Sequence, residues 1–285
     1  MATTDDAVEP PELTGEDVLR IDDDDFTDER VAVVTGAASG IGRATAVVLA
    51  ANGLTVVGTD VDEEGLADTR DKATDLGVSG EFHGEVADLT SDDEMDAVVE
   101  AAADRGDLAY LANVAGMQHI DPIDEFPMEV YDTMQDVMLR APVYLSKRCL
   151  PHMREHGGGC VGNMASVHGH YVTADKVAYN VSKFGLRGLT QSIAAEGDGS
   201  IRSFSVSTGY VKTPLVTDQI PDTADQRGIS VQEVVEDVML GQARTKEMMR
   251  PVDVGNLFAF GFSKHAKHLN GGDLLFDGGM TLTYE

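Results

Sequence analysis

The chain has 285 residues and carries 50 acidic against 21 basic side chains, which gives a net charge of −29. This charge argues against nucleic-acid binding and against docking on an anionic membrane surface, because both need a basic face. The hydrophobic fraction of 42% is that of an ordinary globular protein, and no apolar run reaches the 18 residues of a membrane span.

The acidity begins at the N-terminus, where residues 1–30 hold 12 acidic and two basic side chains. Residues 1–25 include Pro10-Pro11 and four consecutive aspartates, with little apolar periodicity, so we expect an acidic and mostly disordered extension. The excess continues through residues 26–285. It indicates either a solvated surface with an acidic tail or adaptation to concentrated salt, in which a Debye length of ~3 Å screens like charges. The chain-wide spread favours salt adaptation.

Strand-like and helix-like patterns alternate through residues 26–285. The continuous apolar run at residues 31–34 is typical of a parallel strand buried on both faces, and the segment after it has apolar residues at helical spacing. Strands are predicted at 31–34, 54–58, 80–86, 108–113, 159–164, 201–207 and 273–276, and helices at 41–52, 63–76, 92–105, 127–155, 176–195, 231–240 and 251–262. The pattern predicts one α/β domain, a doubly wound Rossmann-type parallel sheet with helices on both faces.

A glycine-rich turn lies between the first predicted strand and helix. Residues 35–42 read Thr-Gly-Ala-Ala-Ser-Gly-Ile-Gly, so the glycine spacing is Gly-x-x-x-Gly-x-Gly. Small residues allow close approach to phosphates, and the helix N-terminus supplies unpaired N–H groups and the positive end of a dipole. The turn therefore predicts a dinucleotide site, although glycines also serve ordinary strand-to-helix turns.

Asp60 ends the second predicted strand, 18 residues after Gly42. A carboxylate at this position can accept hydrogen bonds from the adenosine ribose hydroxyls and would repel a 2′-phosphate. No Arg or Lys occupies Ser39, Val61 or Asp62. NAD is therefore favoured over NADP as the cofactor.

Three further side chains suit alcohol oxidation or carbonyl reduction. Tyr179 and Lys183 are four residues apart on a predicted helix and share one face, while Ser166 lies at the end of a predicted strand. A free tyrosine has a pKa near ~10 and is a poor base at neutral pH, but a nearby ammonium favours its phenolate. We expect Tyr179 to act as the acid/base, Lys183 to tune it and Ser166 to hydrogen-bond the substrate oxygen.

Together these motifs resemble the classical short-chain dehydrogenase/reductase family over residues 26–285. Residues 113–116, Asn-Val-Ala-Gly, and 209–213, Gly-Tyr-Val-Lys-Thr, extend the resemblance. It implies that Asp88 meets the adenine ring and Thr213 the nicotinamide side of the cofactor. The cofactor-binding residues that it implies are Thr35, Gly36, Ser39, Gly40, Ile41, Gly42, Asp60, Asp88, Leu89, Asn113, Ala115, Gly116, Tyr179, Lys183 and Thr213.

A closer resemblance is to the D-3-hydroxybutyrate dehydrogenase subfamily. Residues 116–119, 166–169 and 210–220 carry it, together with Lys176. The resemblance implies NAD-dependent interconversion of D-3-hydroxybutyrate and acetoacetate, and a cationic pocket rich in donors suits a small hydroxy or keto acid. The substrate-binding residues that it implies are Gln118, His168, Lys176, Tyr210 and Gln219. Gln219 and the following residues 221–242 are expected to form a mobile lid.

Three positions depart from the family's usual pattern. Met138 stands where a helical Asn often supports a water chain to the lysine, Val114 replaces an Asn, and Thr208 replaces a Pro. Two alternatives therefore stay open. The chain could be a short-chain dehydrogenase for another small or cyclic alcohol, or a non-catalytic NAD-binding regulatory protein, an alternative that Met138 motivates.

Histidine pairs are the only hint of a metal. His168-x-His170 and His265-x-x-His268 lack cysteine partners and a convergent carboxylate motif, so no metal site is expected.

The remaining expectations concern compartment and assembly. Cys149 and Cys160 are too few for a disulfide-rich scaffold, which favours a reducing, cytoplasmic setting, and the acidic N-terminus does not read as a secretory signal. The family resemblance implies a homotetramer. The apolar residues 257–262 could supply a helix interface, although core burial explains them equally well.

Overall fold

The computed structural model describes residues 12–282. The strands are β1 (Arg30–Thr35), β2 (Thr55–Asp60), β3 (Glu81–Val86), β4 (Asp107–Asn113), β5 (Gly159–Met164), β6 (Ile201–Thr208) and β7 (Gly272–Phe276). The α-helices are α1 (Gly40–Ala51), α2 (Glu63–Asp75), α3 (Asp92–Ala103), α4 (Met128–Gln135), α5 (Ala141–Glu155), α6 (Val177–Glu196), α7 (Pro214–Thr217), α8 (Gln219–Arg227), α9 (Val231–Glu233) and α10 (Pro251–Phe262). Two π-helical turns span Asp136–Arg140 and Val234–Met239, and two 3-10 turns span Val167–Gly169 and Lys264–Ala266.

Within residues 12–282, seven strands form one sheet in the order β3-β2-β1-β4-β5-β6-β7, and all neighbouring strands are parallel. The predicted fold class is confirmed. The strand order reverses between β1 and β4, and ligands of such sheets bind outside the carboxyl ends of the strands at this point. The topology therefore places the glycine-rich turn after β1 and the loop after β4 side by side.

The sheet is covered on both faces, as the continuous apolar runs predicted. Along β1, Val31 and Val33 point into one hydrophobic core, while Ala32 and Val34 point into the other. Helices α1 and α10 pack closely on the second face. A Cβ added at Gly255 of α10 would lie 3.0 Å from the Ala44 carbonyl carbon of α1, so glycine permits this approach.

Some helical elements differ from the sequence prediction. The helix predicted over 127–155 is interrupted by the π-helical turn at Asp136–Arg140, and most of the one predicted over 231–240 is the π-helical turn at Val234–Met239. Helix α8 lies in the segment expected to be a lid, and its Ile220 and Ala224 are buried. A π-turn has an i→i+5 hydrogen bond, and apolar spacing over a few residues does not distinguish it from an α-helix.

The extension predicted to be disordered is held in place over residues 12–25, which we call the N-terminal strap. Val18 is buried with 6% exposure. The backbone of Leu19 is hydrogen-bonded to one side chain of α10 and to one side chain just after α1. Its N–H donates to Asn256 Oδ1 at 2.9 Å, and its carbonyl accepts from Asn52 Nδ2 at 3.0 Å. The acidic composition hid these side-chain anchors, so the prediction of disorder is wrong for residues 12–25. Residues 1–11 lie outside the described residues.

Membrane helices, metal-binding groups and cysteines can also be examined among residues 12–282. No described helix is both long and apolar enough to cross a membrane. No three His, Cys, Asp or Glu side chains in this range form a group able to hold a metal ion. Cys149 and Cys160 are buried free thiols, and burial raises the pKa of each to about 12.

Candidate active site

The glycine-rich turn has no room for side chains at its glycines. Gly36 and Gly40 have φ angles of 71° and 51°, in the region that favours glycine. A Cβ at Gly36 would lie 2.9 Å from Ala115 Cα, and one at Gly42 would lie 2.0 Å from the Gly36 carbonyl oxygen. The turn is therefore packed directly against the loop after β4, and the start of α1 faces the crevice between them.

A cleft of about 400 Å³ opens at this crevice. The first-turn N–H groups of α1 have no partners within the helix, and the dipole there favours an anion such as a diphosphate. The predicted cofactor residues on the cleft wall are Gly36, Ser39, Gly40, Ile41, Gly42, Asp60, Asp88, Leu89, Ala115, Gly116, Tyr179, Lys183 and Thr213. A backbone cradle, a carboxylate near its far end and a cation deeper inside fit a nicotinamide dinucleotide.

Thr35 and Asn113, also predicted as cofactor residues, do not line this cleft. Thr35 Oγ1 accepts from the Val114 and Ala115 N–H groups at 2.9 and 3.0 Å, so it holds the loop after β4. Asn113 Nδ2 donates to Asn163 Oδ1 at 2.9 Å within the buried sheet. Both side chains support the cleft wall from behind.

Asp60 lies at the end of β2, as the sequence predicted. Its Oδ2 accepts from the Ala38 N–H and its Oδ1 from the Asp62 N–H, both at 3.2 Å, which fixes the carboxylate at the rim of the cleft. The neighbouring Arg43 guanidinium is bound to the Ala38 carbonyl, to the Gly65 carbonyl at 3.2 Å and to Thr69 Oγ1 at 3.0 Å. These contacts are made by its Nε and Nη2 groups.

Ser166, Tyr179 and Lys183 converge at the carboxyl end of β5. Tyr179 and Lys183 are one turn apart on α6, and Lys183 Nζ lies 5.2 Å from the centre of the Tyr179 ring. The ammonium donates to the Met164 carbonyl oxygen at 2.8 Å, and the lysine is only 3% exposed. Ser166 caps the 3-10 turn that follows β5 by accepting from the His168 N–H at 3.1 Å.

Burial dominates the electrostatics of this group. It raises the pKa of Tyr179, while a hydrogen bond from Ser166 opposes the rise. Burial lowers the pKa of Lys183 to about 8, because the buried ammonium is desolvated. In the protein alone Tyr179 is therefore neutral at physiological pH, and forming its phenolate requires additional positive charge nearby.

His168 lies beside this group as a neutral imidazole. Its ring is 5.7 Å from the Tyr179 ring, and its Nδ1 lies 3.4 Å from Ser166 Oγ. Burial, followed by the charge of Lys176, lowers the pKa of His168 to about 4. The sequence missed two of its partners. Thr173 Oγ1 hydrogen-bonds to His168 Nε2 at 3.0 Å, and the Tyr171 ring lies 5.5 Å away.

Of the other predicted substrate residues, Lys176 is close enough to His168 to lower its pKa. Lys176 immediately precedes α6, is half-buried and forms no ion pair with any described residue. Burial lowers its pKa. Tyr210 is close enough to Tyr179 to influence its pKa electrostatically.

Gln118 and Gln219 meet across 101 positions of sequence, with Gln118 Nε2 donating to Gln219 Oε1 at 3.0 Å. This contact joins the loop after β4 to the start of α8. Of the five predicted substrate residues, His168 and Tyr210 interact with Ser166 or Tyr179, Lys176 interacts with His168, and Gln118 and Gln219 contact each other.

Met138 is fully buried in the first π-helical turn. A point at the Cβ position of Gly116 would lie 3.8 Å from Met138 Sδ and 4.0 Å from Lys183 Nζ. The thioether and the ammonium therefore both lie next to Gly116. The histidine pairs are dispersed: His170 Nε2 binds Asp273 at 2.8 Å, and His265 Nε2 contacts the Asp22 carbonyl at 3.2 Å.

Comparison with known proteins identifies the class that this fold and site define. A short-chain dehydrogenase family model, described as Enoyl-(Acyl carrier protein) reductase, matches residues 36–281. The chain therefore belongs to the short-chain dehydrogenase/reductase family of oxidoreductases, as its motifs indicated.

Its relatives within that family act on different substrates. The chain is 35% identical to D-beta-hydroxybutyrate dehydrogenase of Rhizobium meliloti, over 88% of this chain and 98% of that one. The crystal structure of levodione reductase superimposes with a TM-score of 0.83 at 29% identity, covering 91% of this chain and 100% of the other. A structure from Beutenbergia cavernae, provisionally described as an NAD(P)-dependent gluconate 5-dehydrogenase with NADP bound at low occupancy, has a TM-score of 0.78 at 29% identity, covering 90% and 98%.

Proposed function

We propose that the protein is an NAD-dependent dehydrogenase that interconverts D-3-hydroxybutyrate and acetoacetate. The observation that carries the proposal is Lys176, a half-buried cation beside His168 and without an ion-pair partner among the described residues. A buried charge without a counterion is costly, and this chain has 50 acidic side chains from which a partner could have come. A substrate carboxylate would complete the site.

The substrate position follows from the surrounding donors. Lys176 would bind the carboxylate, and the neutral His168 together with the Gln118–Gln219 pair would supply further hydrogen bonds. Tyr210 would pack against the substrate. A short hydroxy acid gripped at one end would present its hydroxyl carbon to Ser166 and Tyr179.

The chemistry assigned to the chain is proton transfer at the Tyr179 hydroxyl. When bound, the nicotinamide would supply the hydride acceptor for oxidation and the donor for reduction. As a phenolate, Tyr179 would take the substrate hydroxyl proton. The buried Lys183 ammonium, 5.2 Å from its ring, would stabilise that phenolate together with the positive charge of a bound oxidised nicotinamide. Ser166 would hold the substrate oxygen through its hydroxyl.

The preference for NAD is proposed from Asp60. Its carboxylate is held at the cleft rim by two backbone N–H groups, and it would accept from the ribose hydroxyls and repel a 2′-phosphate. Lys183, deep in the cleft, is the only basic side chain among the described residues that line it. Arg43 is held by other partners.

The assay that tests this function measures reduction of NAD and NADP with D- and L-3-hydroxybutyrate, cyclohexanol and gluconate, at molar salt. We expect turnover with D-3-hydroxybutyrate and NAD, and loss of activity in Tyr179→Phe. A preference for a cyclic alcohol would favour the second enzymatic candidate, which the structural similarity to levodione reductase supports. Cofactor binding without turnover of any alcohol would favour a regulatory protein.

A homotetramer is also proposed. Phe260 on α10 is 36% exposed, and Leu275 and Phe276 on the edge strand β7 are 43% and 44% exposed, so the apolar helix region extends to the surface. Light scattering that gave a monomer would refute this assembly. The cytoplasmic setting stays a prediction from the cysteine count.

A further inference from the structure

The N-terminal strap is fastened by an ion pair at Asp17. The Asp17 carboxylate binds the Arg250 guanidinium and also accepts from the Thr14 N–H at 3.0 Å and the Thr14 hydroxyl at 2.6 Å. These contacts lower the pKa of Asp17 to about 2, with the Thr14 hydroxyl as the largest cause and Arg250 next. The carboxylate is therefore charged at neutral pH.

Arg250 connects this ion pair to the start of α10. Its guanidinium binds Asp253 at 3.0 Å, and its N–H donates to Asp253 Oδ2 at 2.9 Å, which caps the helix. The preceding residue, Met249, belongs to a short parallel bridge with the segment after β6. The Met249 N–H donates to the Tyr210 carbonyl at 3.1 Å, and the Lys212 N–H donates to the Met249 carbonyl at 2.9 Å.

The bridged segment, residues 209–213, supplies both halves of the proposed site. Tyr210 is assigned to the substrate and Thr213 to the cofactor. A cavity of about 430 Å³ near this segment is lined by Leu13 of the strap together with Arg250, Ser39 and Pro214. The Met249 bridge supports residues 209–213 through its two backbone hydrogen bonds.

We propose that Asp17 is a positioning residue: through Arg250 and the Met249 bridge, the N-terminal strap fixes the backbone of residues 209–213 against substrate and cofactor. This inference rests on the proposed function for its kinetic consequence, but its structural part concerns the protein alone. The strap thereby extends the active-site scaffold to a segment more than 190 residues earlier in the chain, as the numbering of Asp17 and Tyr210 shows.

The test compares Asp17→Asn with Asp17→Glu and with Asp24→Asn. Asp24 belongs to the same strap and pairs with Lys264 at 3.3 Å, but Lys264 follows α10 and does not touch the Met249 bridge. Asp24→Asn therefore removes one acidic charge and one ion pair of the strap, as Asp17→Asn does. Asp17→Glu keeps the charge and is expected to restore the contact with Arg250.

The first measurement is amide hydrogen exchange at Lys212 and Met249 in the full-length protein without cofactor. We expect Asp17→Asn to speed exchange at both amides about tenfold, as local opening becomes easier, with Asp24→Asn and Asp17→Glu near wild type. Equal exchange in Asp17→Asn and Asp24→Asn would overturn the inference. A similar rise throughout α1 and α10 would overturn it as well, because it would indicate general loosening.

The second measurement is steady-state kinetics with the hydroxy acid and NAD. We expect Asp17→Asn to raise KM for the hydroxy acid about fivefold, with kcat within about twofold of wild type. Substrate positioning weakens in this variant, while Ser166, Tyr179 and Lys183 are untouched. Unchanged KM despite faster exchange would overturn the kinetic part. If no hydroxy acid were turned over by any variant but exchange changed only in Asp17→Asn, the proposed function would fail and the positioning role would stand.

Discussion

Gln118 and Gln219 are joined by a 3.0 Å hydrogen bond between their side-chain amides, although one follows β4 and the other begins α8. The segment that contains Gln219 was expected to be a lid over the site. Its first helical residue is therefore attached to the opposite wall of the site without any substrate. The pair marks where the lid meets the rest of the domain.

This contact gives the first prediction. Gln118→Ala and Gln219→Ala should each raise KM for D-3-hydroxybutyrate about fivefold, the effect of one hydrogen bond of about 1 kcal/mol. Because they remove the same bond, the double variant should cost little more than either single one. Steady-state kinetics on the four proteins measures this coupling, and fully additive losses would show that the two amides act independently.

A second prediction follows from the buried Lys183. Its pKa is lowered from 10.5 to about 8, so burial of the ammonium destabilises the folded protein at every pH below about 8. As the pH rises from about 8 to 10.5 this penalty disappears. The free energy of unfolding of the wild type, relative to Lys183→Met, should therefore increase over this range by on the order of 3 kcal/mol.

Urea denaturation of the cofactor-free proteins at several pH values measures that difference. The exposed Lys267 provides the control, since Lys267→Met should show no such dependence on pH. A constant difference between wild type and Lys183→Met would mean that Lys183 keeps its ordinary pKa in the fold.

The third prediction concerns the cofactor. Asp60→Ala combined with Val61→Arg should shift the ratio of kcat/KM for NAD over NADP by about 10- to 100-fold towards NADP, because a charge-assisted ribose contact is lost and a phosphate partner is gained. Asp62→Ala is the control, since Asp62 instead caps α2 through the Gly65 N–H at 3.1 Å. An unchanged ratio in the double variant would locate cofactor selection elsewhere.

The fourth prediction tests the meaning of the −29 charge. If the acidic surface is an adaptation to salt, the melting temperature should rise as KCl increases from about 0.1 M to about 1 M, where the Debye length falls from ~10 to ~3 Å. Calorimetry at neutral pH makes the measurement. A melting temperature that stays constant or falls with salt would leave the acidity as an ordinary solvated surface.

The sequence predicted most of the fold because the fold depends on local patterns. Buried strands appear as short apolar runs and helices as apolar residues at i, i+3 and i+4. Both patterns can be recognised without knowledge of tertiary contacts. The N-terminal strap could not be predicted in this way. It is anchored by Asn52, Asn256 and Arg250, single polar side chains that lie far away in sequence.

The site was predictable to a similar degree. Ser166, Tyr179 and Lys183 occur at fixed positions relative to a strand end and a helix, so their meeting followed from the topology. The placement of Thr35 and Asn113 behind the cleft wall depends on side-chain directions, which residue spacing does not reveal. Thr173 and Tyr171 were missed because a polar or aromatic residue in a loop carries no signal of the histidine it contacts.

The most direct test of the proposed function is the ratio of kcat/KM for D-3-hydroxybutyrate to that for butan-2-ol, which lacks the carboxylate, in wild type and in Lys176→Met. The wild type should favour the hydroxy acid, and Lys176→Met should reduce the ratio about 100-fold by removing the cation that binds the carboxylate, with butan-2-ol oxidation nearly unchanged. A ratio unaffected by Lys176→Met would contradict the assignment of this pocket to a hydroxy acid.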